Sequence, residues 1–168
     1  LRDNLPGKVG LGGWYDTNSF QELDGSGTRS GTGGAYVILD QALWRPFEGK
    51  RKDDGLSACF SAGYCDPLVN FIDGGILAGV TETGLIPSRP IDIAGFGATA
   101  AHFSDHASTR NPFETSIEAF YRFRFSESVS GKPVVQYIFY SFGGGNVDEP
   151  VISNALVFTL RLEVTFYV

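Results

Sequence analysis

The chain has 168 residues, 22 of them glycine, with 19% charged residues and a formal net charge of −6. An acid balance of this kind excludes a nucleic-acid partner, which would need clustered Lys and Arg on a net basic surface. No stretch of about 20 apolar residues is present to cross a bilayer as a helix, but membrane strands need only ~10 residues that are apolar on one side, so a β-barrel stays open. The sequence begins at Leu1 and contains no Met, and is expected to be a mature or trimmed piece of one domain, its secretory signal lying upstream.

Taken in order, residues 8–16 predict a first strand, with Val9, Leu11 and Tyr15 on one face. Residues 17–33 read as a long polar loop of Gly, Ser and Thr. Its DGSG lacks the further acids of a calcium loop. A second strand is expected over 34–45, with Val37, Leu39 and Leu43 on one side and Tyr36, Asp40 and Trp44 on the other. An aspartate among such apolar residues needs a partner or water. Residues 45–55 form a charged turn, whose KRK reads as solvated connection rather than a lipid or nucleic-acid patch.

The third strand, 55–65, turns Leu56, Ala58, Phe60, Ala62 and Tyr64 one way and small residues the other. Cys59 and Cys65 would lie ~20 Å apart along it, too far for a disulfide, and read as small buried or lumen-side residues. A turn at 66–69 leads to a fourth strand, 70–80, where Gly74 and Gly75 suggest a bulge or close packing. A Pro-containing connection over 81–91 precedes a fifth strand, 92–103. His102, Asp105 and His106 read as rim residues, because nothing here has the helical period that would put two histidines on one face as metal ligands.

Residues 114–125 give the clearest pattern. Ile117, Ala119, Tyr121, Phe123 and Phe125 alternate with Ser116, Glu118, Phe120, Arg122 and Arg124. A period of two with an aromatic-rich apolar face and charges opposite fits a membrane barrel strand, oily toward lipid and ionic toward a wet lumen. It also fits a strand of a soluble sandwich. A short turn, 126–132, precedes a seventh strand, 133–142, with Val135, Tyr137 and Phe139 outward and Gln136 and Tyr140 inward. Residues 143–154 are a loop, whose Gly triplet lacks the Lys and helix of a phosphate loop. The last strand, 155–168, sets Leu156, Phe158, Leu160, Leu162, Val164 and Phe166 against Thr159, Arg161, Glu163 and Thr165.

The fold class expected is all-β, an antiparallel meander of about eight strands with short turns at one end and longer loops at the other. If the chain ends on the periplasmic side, the segments 17–33, 65–69, 104–113 and 143–154 fall at the far end. Those at 45–55, 81–91 and 126–132 then fall at the near end.

Several phrases resemble the carbohydrate-selective porins of Gram-negative outer membranes, the OprB-like family. They are LPGKVGLGGWYDT, GAYVILDQALW, the run from GLSACFSAGYC to GATAAHFS, ETSIEAFYRFRFSE, PVVQYIFYSFGGGN and ALVFTLRLEVTF. Their order and spacing carry the likeness, which spans essentially the whole chain. The chain departs from the family at Val134, at FGGG in place of Pro-Gly-Gly, and at Tyr167 and Val168, which follow the usual terminal aromatic, Phe166. The resemblance implies a transmembrane β-barrel porin of about sixteen strands, of which this chain is the C-terminal half. It further implies an outer-membrane location, lipid around the barrel, sugars as passing solutes and no catalysis.

Alternation places Tyr36, Asp40, Glu118, Arg122, Arg124, Gln136, Arg161 and Glu163 on the lumen side. Sugars are neutral polyols, held by donors, acceptors and aromatic faces, so a wall of mixed sign suits them better than a ladder of lysines. The competing role for these charges is to pair across strands and stiffen the wall. Glu118 and Glu163 as the acid pair of a glycosidase would require a set separation that spacing alone does not supply. No cofactor is expected, and association into a homo-oligomer is left open. Two rival readings remain, a small closed eight-stranded barrel with a structural or adhesion role and a soluble two-sheet binding domain.

Overall fold

The computed structural model describes residues 5–46 and 54–166. Eight strands follow one another: β1 (Gly7–Gln21), β2 (Thr28–Trp44), β3 (Gly55–Cys65), β4 (Ile72–Thr83), β5 (Ile93–Phe103), β6 (Phe113–Arg124), β7 (Val129–Phe139) and β8 (Ala155–Val164). They form one sheet in sequence order, each antiparallel to the next. Among the described residues β1 and β8 share no ladder, so the sheet is open and the closed eight-stranded barrel is not what forms.

The hydrophobic distribution is inside out. The only buried apolar side chains among the described residues are Ala42 and Phe103. Leu11 is 81% exposed, Phe158 72% and Leu160 66%. A soluble sandwich would bury such faces between two sheets. Here there is a single sheet and its apolar face is bare, which overturns the soluble reading. A surface of this size and continuity calls for a non-aqueous neighbour. Tyr15, Tyr64, Phe113 and Phe139 lie toward one end of that face, and Trp44, Phe123, Phe125 and Phe166 toward the other, as aromatic girdles flank the lipid-facing band of membrane barrels.

The strand boundaries of β3 agree with the alternation, and β4, β5 and β6 shift by only a few residues. Three expectations need correction. The polar stretch 17–33 is not a long loop: β1 and β2 continue through it as a paired hairpin, with a shift between Asp16 and Ser19 and a tip at 22–27. Polar Ser and Thr can fill a ladder as well as apolar residues when both faces meet water, so hydropathy did not mark these strands. β7 begins at Val129 and carries Pro133 inside it. It ends at Phe139, leaving Tyr140 outside with a left-handed backbone, φ 52°. Finally, a bulge between Ala42 and Trp44 sets Trp44 opposite Leu56, on the apolar face rather than beside Asp40. The KRK turn and the terminal Tyr167 and Val168 lie outside the described residues.

The loops at the long-loop end are locked together. Leu23 donates its N–H to the Leu68 carbonyl, Arg29 pairs with Asp66 at 3.2 Å, and Asn70 donates to the Thr32 hydroxyl. Phe71, Phe103 and Phe142 form one aromatic cluster. The Gly triplet is indeed a turn: with Tyr140 and Phe142 it makes a left-handed stretch of backbone, with φ of 62°, 75° and 89° at Gly143, Gly144 and Gly145. At the other end the β6–β7 turn is tight, closed by Phe125 N–H to the Val129 carbonyl.

Candidate functional site

The concave face of the sheet carries the polar residues. Ladder pairs run Lys8–Asp40, Asp40–Cys59, Cys59–Gly79, Gly79–Gly97, Gly97–Glu118 and Glu118–Gln136. Asp40, Glu118 and Gln136 therefore stand at one level across the wall. Asp40 is four strands from Glu118, roughly 19 Å along the sheet. Arg161 lies opposite Lys132, and Arg122 falls level with them between the pairs Phe120–Val134 and Phe123–Gly131. Arg124 and Glu163 both register with Ser130. Tyr36 sits apart, toward the long-loop end, between Gly12 and Gly63. All eight sequence-predicted residues thus share this face, as do Cys59 and Cys65, whose thiols are free.

Two glycines in the middle row thin the wall and open a recess of about 210 Å³, lined on this face by Thr81, Thr99, Ser116, Glu118, Phe120 and Gln136. The Thr99 and Ser116 hydroxyls are 2.7 Å apart, and the Gln136 amide donates to Ser116 at 3.3 Å. Donors, acceptors and one ring face converge here around a single carboxylate, Glu118, which Lys132 faces from outside the recess at 3.7 Å, an arrangement able to hold a polyol weakly. A second recess of about 270 Å³ toward the long-loop end includes Trp14, Tyr36 and Cys65.

The rings are laid flat by glycine. A Cβ on Gly12 would collide with the Tyr36 ring, and one on Gly95 with the Phe120 ring. Only the missing side chain lets each ring lie on its neighbour strand.

Charge pairing within the wall is sparse. Lys132 Nζ lies 3.7 Å from Glu118 Oε1 and 3.7 Å from the Phe120 ring centre. Among the described residues Arg122, Arg124, Arg161 and Glu163 form no ion pair within 4 Å. Cross-strand stiffening by salt bridges therefore accounts for Glu118 and not for the arginines. Glu118 and Glu163 are separated by the six residue steps along β7 from Gln136 to Ser130, ~20 Å at ~3.3 Å a step, well beyond the ~5–9.5 Å of a glycosidase pair.

Sequence reasoning missed Lys132, Trp14 and the Thr99–Ser116 pair. Lys132 falls in the turn expected over 126–132, whereas β7 begins at Val129 and includes it. His102 faces outward, where its Nδ1 is 2.6 Å from Asp73 Oδ1 and its ring meets Phe113 edge-on. Asp105 and His106 stay exposed in the loop.

The sequence matches the family described as carbohydrate-selective porin, OprB family, over residues 2–166. The chain belongs to the OprB family of carbohydrate-selective porins. Among solved structures, a high-pH structure of Pseudomonas putida OprB is similar, with a TM-score of 0.83 and 24% identity. That match covers 96% of this chain and 45% of the other, so the chain spans less than half the length of that structure. A comparison with curated proteins found no match. An all-β porin fold, an antiparallel meander and a family of non-enzymatic transporters follow directly.

Proposed function

We propose that the chain is the C-terminal half of a sixteen-stranded outer-membrane porin through which sugars diffuse passively. Its apolar face meets outer-membrane lipid, and Tyr36, Asp40, Glu118, Arg122, Arg124, Gln136, Arg161 and Glu163 border the solute path. The observation that carries this reading is the division of one open sheet into two chemistries. Bare Leu and Phe side chains cover one side, and acids, arginines, hydroxyls and glycine-seated rings cover the other. An open sheet that shares its fold with 45% of a longer OprB chain supports completion of the ring by further strands of the same protein. Passage demands weak binding at several places, which scattered donors and ring faces supply and one tight pocket would not.

The test is swelling of liposomes that carry the full-length gene product. Neutral monosaccharides are expected to enter faster than zwitterionic amino acids of similar mass. No swelling with any sugar, or equal rates for both solute classes, overturns the reading.

A further inference from the structure

We propose that the convex face holds a site for a lipid with a primary ammonium headgroup, set between Tyr64 and His102 at the long-loop end. The proposal goes beyond the porin reading and rests only on its lipid-facing side.

One row of the sheet builds it. Ala35, Tyr64, Gly74, His102 and Phe113 are successive cross-strand partners from β2 to β6. Strands lie ~4.8 Å apart, so Tyr64 and His102 stand ~10 Å apart with only Gly74 between them. The missing side chain leaves a slot: a Cβ on Gly74 would lie 3.6 Å from the Tyr64 ring and 3.7 Å from the His102 Cβ. The next row toward the short-turn end is Ala62, Ile76 and Ala100. Beyond it Ala78 and Ala98 keep the surface low on the way to the middle of the apolar face. The slot encloses about 600 Å³, within the ~300–1,000 Å³ of sites that hold small ligands. It opens into the lipid-facing band, so an acyl chain can lie along the alanines and leave its headgroup at the aromatic girdle.

The girdle end of the slot is polar. Asp73 is only 4% exposed, and its carboxylate lies 2.6 Å from His102 Nδ1. A carboxylate only accepts, so Nδ1 carries the hydrogen and the neutral ring presents Nε2 as an acceptor. Among the described residues His102 makes no other hydrogen bond. Asp73 supplies the formal charge of the slot, and among the described residues no Lys or Arg lines it. Asp66, in the adjoining turn, is already paired with Arg29. The rings of Tyr64 and Phe113, both exposed, flank the opening. A phosphate or carboxylate would meet a like charge here. An ammonium meets a negative charge, a nitrogen acceptor and two aromatic rings, the surroundings that attract a cation. A primary ammonium can donate to Nε2, and a quaternary one cannot.

The experiment is native mass spectrometry of the full-length gene product, equilibrated in detergent with equal amounts of phosphatidylethanolamine, phosphatidylcholine and phosphatidylglycerol of the same acyl chains. The wild type is expected to retain phosphatidylethanolamine about fivefold over either competitor. Gly74→Leu, which fills the slot, should abolish that preference. His102→Phe keeps the rings and the groove and should lose the preference for ethanolamine over choline. Gly74→Ala adds a methyl that meets only ordinary contacts, so it should weaken the preference partway and guards against a bulkier variant that fails to fold. A wild type that retains the three lipids equally, or favours phosphatidylglycerol, overturns the proposal. A preference that survives both Gly74→Leu and His102→Phe also overturns it, because the lipid then sits elsewhere on the barrel. Glucose entry into liposomes, measured on the same preparation, keeps the two readings apart: entry without a lipid preference strikes this proposal alone, and a lipid preference without entry supports it and strikes the sugar-porin reading.

Discussion

Asp92 ties the β4–β5 connection to the end of β6. Only 1% exposed, its carboxylate accepts from Arg89 Nε at 2.6 Å, from Arg89 Nη2, from the Tyr121 hydroxyl and from the Arg124 N–H. Burial pushes its carboxyl up, and these donors together outweigh that and hold it below the usual carboxylate range. A carboxylate whose folded pKa is lowered stabilises above its unfolded value, ~3.9, and that contribution is lost as pH falls through the folded value. Asp92→Asn should therefore cost about 1–3 kcal/mol at pH 7, read by urea unfolding of the barrel in lipid. The gap seen at pH 7 should shrink at a pH well below ~3.9, where the carboxyl is protonated in the folded state as well. An equal gap at both pH values would show that the amide substitutes for shape and not for charge. None of this was visible in the sequence, where Asp92 reads as the first residue of a strand. Two of its hydrogen bonds come from Tyr121 and Arg124, 29 and 32 positions away in β6.

At the scale of the strand, what hydropathy could see depended on whether the two faces differ. β6 and β8 separate greasy from ionic residues sharply, so alternation alone sets Glu118, Arg122, Arg124, Arg161 and Glu163 on one face of the sheet. β3 was found to the residue for the same reason, Leu56 to Tyr64 against small residues. The outer half of the β1–β2 hairpin is polar on both faces and gave no period to read. Pro133 misled in a different way. A proline lacks only its own N–H, so a strand tolerates it where that donor is not needed, and β7 extends four residues before it, through Lys132. The bulge at Trp44 is a third case, since one extra residue reverses the sense of all that follows it in the strand. The two faces of β8 carry a direct prediction. Leu160→Arg, near the middle of the apolar face, should cost about 2–4 kcal/mol in unfolding from lipid. Thr159→Arg, one residue away on the concave face, should change stability by well under half of that. Equal costs would mean that β8 does not separate lipid from water.

For the molecule as a whole, the sheet supplies two surfaces and the loops supply stiffness at one end. The β7–β8 loop is fastened to the β5–β6 loop by Arg110 donating to the Val147 and Glu149 carbonyls and by the Thr109–Asn146 bridge, and to the start of β6 by Phe142 N–H to the Glu114 carboxylate. The proposed porin requires the concave face to meet water and the convex face to meet lipid. Thiol labelling along β6 tests this most directly, in the full-length protein inserted in vesicles with Cys59 and Cys65 replaced by Ala. Single cysteines at Ser116, Glu118 and Arg122 should react with a membrane-impermeant maleimide, and those at Ile117, Ala119 and Phe123 should not. Labelling that ignores the alternation, or that reverses it, would contradict the account.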